Sequence, residues 1–175
     1  MAVLETERLI LRRINLDDKE VLFKMDSDPE VQKYTGDRLI QSVEEIETRI
    51  KEISLKDYET YGYGRMAVIL KDTNQLIGWS GLKYLPEFDQ IDLGYRFMPE
   101  HWGKGYATES SLALLEYGFN VLNLDEIIAI AEPEHKASIR VMEKVGMNFQ
   151  KQAPYEEGGE DAVWYGLKKS AYKSR

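Results

Sequence analysis

The sequence predicts a mixed α/β layer structure in one domain, residues 1–175, and three observations carry that expectation. Two stretches with helical apolar spacing follow one extended segment near the N-terminus, short strand-like runs bounded by turn residues fill the middle, and the second half reads strand, helix, strand, helix, strand, strand. The length of 175 residues suits one domain, which can bury roughly 70% of its unfolded surface. A hydrophobic share of 43% against 31% charged residues is an ordinary globular balance, so the chain is expected to fold throughout.

In chain order, Arg8 to Ile14 reads as extended. Asp17 and Asp18 then open a helical pattern through Val21, Leu22 and Met25 that stops before Pro29, because the residue preceding proline disfavours the helical region. Ser42 with Glu45 is a capping box, followed by Ile46, Ile50 and Ile53 at helical spacing until about Tyr58. Tyr61 to Gly64 breaks that pattern. Met66 to Leu70 and Leu76 to Tyr84 flank the turn Asp72-Thr73-Asn74-Gln75 as a hairpin. Ile91 to Met98 and Glu126 to Ala131 are further strands, separated by a helix from Thr108 to Val121 whose stripe of Ala107, Leu112, Leu114, Leu115, Phe119 and Val121 is wide enough to pack on a sheet. A helix from His135 to Val145 ends at Gly146, and strands at Phe149 to Tyr155 and Ala162 to Lys168 are joined through Gly158-Gly159. These segments make seven strands, mostly antiparallel, with no repeat or linker.

The net charge of -8 argues against nucleic acid, whose binding needs clustered Lys and Arg, and is compatible with a cationic acceptor. The absence of cysteine excludes disulfides, thiolate metal sites and an acyl-cysteine intermediate. The two histidines, His101 and His135, form no metal-ligand spacing, so no metal is expected. Glu5, Glu7 and Arg8 stand where a signal peptide needs an apolar core, and no run approaches the ~18 apolar residues of a membrane span, which makes a cytoplasmic location the expectation. Gly78-Trp79-Ser80-Gly81 lacks the spacing of a nucleophile elbow, so Ser80 reads as a strand residue. Glu156, Glu157, Glu160 and Asp161 read as a solvated hairpin tip or as an attractor for a cationic substrate.

The segment carrying chemistry is Trp102-Gly103-Lys104-Gly105-Tyr106-Ala107-Thr108, set between a strand and a helix. Glycines let successive N–H groups point one way, and the helix start adds partial positive charge, so the segment can hold an anion, with Lys104 adding a full charge. Gly-x-Gly alone is a weak signal. Thr108 fails the dinucleotide fingerprint, which needs Gly or Ala there, and Met98 fails the P-loop, which needs Gly.

What fits is the GNAT superfamily of N-acyltransferases. Gly105 and Ala107 match its Gln/Arg-x-x-Gly-x-Gly/Ala motif, with Trp102 replacing Gln/Arg. Thr6-Glu7-Arg8-Leu9-Ile10-Leu11-Arg12 and Trp102 to Glu109 resemble the opening strand and cofactor loop of the RimJ/RimL-like branch of ribosomal-protein N-terminal acetyltransferases. His135-Lys136-Ala137-Ser138 leading to Lys144-Val145-Gly146 resembles the family's Asn-x-x-Ser element, with His135 in place of Asn. The resemblance implies the GNAT fold, a seven-stranded sheet with helices on both faces, whose fourth and fifth strands splay apart. It implies acetyl-CoA as co-substrate, an amine acceptor such as a peptide N-terminus, a polyamine or another small amine, and it allows a homodimer.

By the same resemblance, backbone groups of Arg96, Phe97 and Met98 pair with pantetheine, amides from Gly103 to Thr108 hold the diphosphate, and an N–H near Phe97 faces the developing oxyanion. An amine must lose a proton before it attacks the thioester, so a base is needed. Asp92 stands where the family often carries Glu, with Glu87 and Asp89 as fallbacks and a merely solubilising edge carboxylate as the plain reading. Ser138 matches the group that donates to the departing thiolate, or serves as a small helix residue. His135 contacts the cofactor, acts as an alternative donor, or holds the helix start. Tyr34, Tyr61, Tyr63 and Tyr84 lie in segments that could rim an acceptor pocket.

Overall fold

Eight strands in the order β1-β2-β3-β4-β5-β6-β8-β7 form one sheet in the computed structural model, which describes residues 3–173. The strands are β1 Leu4–Glu5, β2 Leu9–Arg13, β3 Arg65–Leu70, β4 Leu76–Leu85, β5 Gln90–Phe97, β6 Glu126–Ala131, β7 Asn148–Pro154 and β8 Asp161–Lys168. The predicted seven are present, and the eighth corrects that number. β1 is a two-residue edge strand pairing Leu4 with Leu11, too short to show the period-2 signal from which strands are read.

All neighbours are antiparallel except β5 and β6, whose parallel pairing consists of one register partner, Asp92 with Ile128. Beyond that bridge the two strands part. The backbone geometry of β5 says which groups face the gap. Met98 N–H donates to Ile77 O at 3.0 Å, so Met98 and Ile77 form a hydrogen-bonded pair. Pairs alternate along an antiparallel ladder, so Arg96 bonds to Trp79 on β4 while Tyr95 and Phe97 direct their N–H and C=O groups toward β6.

Helices cover both faces because β3 alternates apolar residues inward to each side. Ala67 and Ile69 pack with Leu22, Met25, Ile46 and Ile50 from α1 (Lys19–Asp26), α3 (Val43–Arg49) and the turn after it. Met66, Val68 and Leu70 join Leu114, Leu115, Phe119 and Met142 from α5 (Tyr106–Glu116), its extension and α6 (Lys136–Lys144). A short α2, Pro29–Gln32, follows α1, and α4, Lys56–Tyr61, follows α3. π-helical turns at Ile50–Leu55 and Tyr117–Val121 move two predicted core residues outward. Wider turns shift the apolar phase, leaving Ile53 38% and Val121 69% exposed. No helix among the described residues is long and apolar enough to cross a membrane.

Candidate active site

β5 runs through the short turn Pro99–His101 into a loop whose two glycines adopt left-handed backbone, φ +71° at Gly103 and +83° at Gly105. No Cβ could take these angles without strain, and Gly105 also sits at the N-cap of α5. The N–H groups of Gly103, Lys104 and Gly105 bond to no group among the described residues, and those of Tyr106, Ala107 and Thr108 open a helix that offers them no intrahelical partner. Six consecutive free donors therefore converge at a helix N-terminus, the arrangement that accepts an anion.

The loop is braced from β2. Glu109, on the first turn of α5, accepts from Thr6 Oγ1 at 2.6 Å, Arg8 N–H at 2.9 Å and Arg8 Nε at 2.7 Å, while Arg8 Nη1 donates to Lys104 O at 2.9 Å. Burial pushes the Glu109 carboxyl up, but the bonds from Thr6 and Arg8 and the Arg8 charge outweigh it, so its pKa lies below the usual value. Arg8 also lies over the Tyr106 ring, 4.5 Å from its centroid. Trp102 is 48% exposed and donates its indole N–H to Phe97 O at 2.7 Å, fixing the exit from β5. His101 is buried behind the loop with neither ring nitrogen partnered, and burial pushes its pKa down.

Of the three residues predicted to line the pantetheine path, Met98 is committed elsewhere, since its carbonyl also accepts from His101 N–H at 2.9 Å. Arg96 turns its backbone to β4. Phe97 N–H faces the gap. Across that gap Ser138 is buried on α6, and Tyr95 Oη lies 2.9 Å from its Oγ and 3.0 Å from its carbonyl oxygen. A carbonyl only accepts, so Tyr95 donates to it and is left to accept from Ser138 Oγ–H. Burial pushes the Tyr95 hydroxyl well above its ordinary pKa, which keeps it a neutral donor. His135, at the N-cap of α6, makes no capping hydrogen bond and stacks on Tyr34 at 4.6 Å between centroids; burial pushes its pKa down.

The opposite face of β5 carries a charged ladder. Asp92, Gly94 and Arg96 stand opposite Lys83, Gly81 and Trp79. The Arg65 guanidinium lies flat over Gly94, where a Cβ would come within 2.6 Å of it, and pairs with Asp92 Oδ2. It also donates to Gly81 O at 2.6 Å and to Asp92 O at 3.2 Å. Trp79 sits between two guanidiniums, Arg65 at 5.1 Å and Arg96 at 5.2 Å, and Arg96 is itself held by Asp26 at 2.9 Å and Asp37 at 3.0 Å. Asp92 Oδ1 makes no bond among the described residues. Of the fallback carboxylates, Asp89 accepts from Tyr84 Oη at 2.8 Å and Glu87 from Tyr155 Oη at 3.4 Å. Burial pushes the Tyr155 hydroxyl up to about 12, helped by the charges of Glu87 and Asp92. Tyr61 packs against Tyr63 and Tyr84. Ser80 is buried and bonds to Ser110, as a strand residue does.

Sequence reasoning missed Arg65, Tyr95 and the Glu109 brace. Tyr95 carried a usable signal, because it shares its alternation phase with Leu93 and Phe97 on the α6 side. Arg65 carried none, since its partner lies 27 residues away.

Residues 8–148 match the sequence model of the acetyltransferase (GNAT) domain. Over 153 residues the chain is 37% identical to p20 of Bacillus licheniformis, an uncharacterized N-acetyltransferase, covering 87% of this chain and 84% of that one. A solved acetyltransferase (GNAT family) from Bacillus anthracis is similar at a TM-score of 0.81 and 30% identity, covering 97% of this chain and 99% of that one. A spermidine N-acetyltransferase from Vibrio cholerae, solved in complex with CoA and spermine, shares the fold at a TM-score of 0.78 and 20% identity, covering 95% and 99% of the two chains.

Proposed function

The chain belongs to the acetyltransferase (GNAT) family, and from that premise we propose that it transfers an acetyl group from acetyl-CoA to a primary amine, a protein N-terminus or a small amine, by direct attack within a ternary complex. The observation that carries this reading is the continuity between six unpartnered N–H groups at residues 103–108 and the open edge of β5 beyond the Asp92–Ile128 bridge. A carrier with a diphosphate at one end and an amide-bearing arm needs those two features side by side.

Acetyl-CoA supplies the thioester, and this chain's residues would do the rest. The loop amides hold the diphosphate, with Trp102 and Lys104 flanking it. Phe97 N–H, between Arg96 and Met98, meets the arm or the developing oxyanion. Asp92, with Oδ2 clamped by Arg65 and Oδ1 free, takes the amine proton directly or through water. Ser138 can turn its hydroxyl hydrogen from Tyr95 to the departing sulfur and so stabilise the thiolate as a hydrogen-bond donor, the thiolate taking its proton from solvent, and His135 lines the start of α6 beside it. With no cysteine in the chain, no acyl-cysteine intermediate forms. The finer assignment to a RimJ/RimL-like branch rests on the Thr6–Arg12 and Trp102–Glu109 segments, and Glu109 is the residue that joins them. The Vibrio cholerae protein, bound to CoA and spermine, supports an amine acceptor.

The test is acetyl-CoA turnover followed by thiol release across N-terminal peptides, polyamines and aminoglycosides, with Asp92→Asn and Ser138→Ala beside wild type. Loss of a positioned base is expected to cost roughly a hundredfold in kcat/KM, and Ser138→Ala less. Tight CoA binding without thiol release on any acceptor would favour the alternative, a non-catalytic acyl-CoA-binding module.

A further inference from the structure

Beside Asp92, on the same face as α1 and α3 but over the β5, β6, β7 and β8 end of the sheet, lies a recess of about 180 Å³ that the mechanism above does not use. Its floor is Trp164, which is buried and has its indole N–H satisfied by Ala153 O at 3.0 Å. Phe88 meets that ring edge-on at 4.9 Å and Tyr155 stacks at 6.4 Å. The sheet register ties the recess to the candidate base: Ile128, the partner of Asp92, lies two residues from Ile130, the partner of Trp164.

A β-bulge shapes the other wall. The register between β7 and β8 shifts between Phe149 and Lys151, leaving Gln150 without a partner. Bulges re-aim side chains, and both residues here are turned into the recess. Gln150 lies against Gly166, where a Cβ would come within 2.1 Å of its Nε2, and donates to Glu126 Oε1 at 2.6 Å. Lys151, paired with Trp164, holds its Nζ 4.5 Å from the centre of the indole ring. It makes no ion pair among the described residues, although Glu126 lines the same recess. Its ammonium is therefore held by the aromatic face alone.

We propose that this recess is a subsite for a second, non-reacting ammonium group of the acceptor, and that Lys151 occupies it as a tethered cation which the acceptor displaces. The proposal rests on the transferase reading and deepens it. An aromatic floor with Phe88 and Tyr155 around it and the Glu126 carboxylate in its lining suits a cation, because the face of an aromatic ring is its negative part. Lys151 is itself exposed and pairs with no carboxylate among the described residues, so the lysine is displaceable. β5 and β8 are two strand spacings apart and the two positions are offset by two residues along the strands, so a nitrogen over Trp164 and one at Asp92 are separated by roughly 12 Å. The matching acceptor is a linear amine with a second ammonium at about that reach.

The experiment compares the unaltered 175-residue chain with Lys151→Met and Phe88→Leu, using spermidine and n-octylamine as probes, in acetyl transfer and in calorimetry of spermidine binding. Lys151→Met keeps the stem and removes the competing charge. It is expected to raise the spermidine-to-octylamine ratio of kcat/KM about tenfold and to tighten spermidine binding similarly. Phe88→Leu, chosen over any change at the buried Trp164 floor, is expected to lower both. An unchanged or reduced ratio in Lys151→Met, with octylamine still acetylated, overturns the subsite and leaves the transferase intact. Tighter spermidine binding in Lys151→Met with no thiol release from any amine keeps the subsite and removes the transferase reading.

Discussion

On the loop between β5 and α5 the groups that would hold the diphosphate are backbone amides of six consecutive residues, 103–108. On the opposite face of β5, the surroundings of Asp92 are assembled from side chains of Asp26, Arg65, Trp79 and Arg96, and the Arg96–Asp26 pair closes a separation of 70 residues. The two regions should fail in opposite ways. A backbone-built site survives loss of side chains and is damaged by adding a Cβ where glycine is needed. A side-chain-built site is damaged by any single deletion, because each charge removed strands its partner.

The largest effect follows from that stranding. Arg65 and Asp92 have side chains only 17% and 13% exposed. Removing one partner of a pair this buried leaves an uncompensated charge, and Arg65→Met is expected to cost about 3 kcal/mol of stability in a urea titration. Asp92→Asn in the same chain should recover a large part of it, since the two losses share one interaction. A loss below about 1 kcal/mol would mean that solvent screens the pair, and the contrast between the two regions would then collapse on this side.

The glycine loop supplies the reciprocal test. Gly105→Val places a branched side chain at φ +83° with its Cβ 3.4 Å from Arg8 Nη2, at a strain of about 1–2 kcal/mol. CoA affinity by calorimetry is expected to fall roughly tenfold, 1.4 kcal/mol being a factor of ten. Lys104→Ala, which deletes an exposed charge and leaves every amide in place, is expected to change it less than about threefold, within the range of exposed ion pairs. If Lys104→Ala proved the more damaging, the loop would be a side-chain site after all.

The same contrast explains what could be read from the residues alone. The glycine loop, the β3–β4 and β7–β8 hairpins and both long helices on the α5 side are local patterns, so spacing and turn chemistry reveal them. Ser138 is proposed from a local motif too. What escaped was non-local or fell below the length at which a pattern exists. Tyr95 reaches Ser138 over 43 residues and Glu109 reaches Thr6 over 103; strand phase gives the face on which Tyr95 lies, but no periodicity names the partner in such pairs. β1 has two residues, and the π turns that expose Ile53 and Val121 leave no compositional mark.

The smallest expected effect concerns Glu109, where the two kinds of construction meet: a side chain from the loop's helix bonded to the backbone and side chain of Arg8. Its carboxyl has a folded pKa below its ordinary 4.5. A group whose pKa is depressed on folding stabilises the protein above the unfolded value and loses that contribution as pH falls through the folded one. Wild type should therefore be more stable than Glu109→Gln by about 0.5 kcal/mol near pH 7, the scale of a partly exposed pair. Thermal melts taken from pH 7 to pH 3 are expected to show a constant gap down to about pH 4.5 that closes below it. A gap that widened on acidification would mean that the neutral carboxyl is the form the fold prefers. The brace between β2 and α5 would then be an uncharged hydrogen-bond network, and the loop would owe its position to the helix start alone.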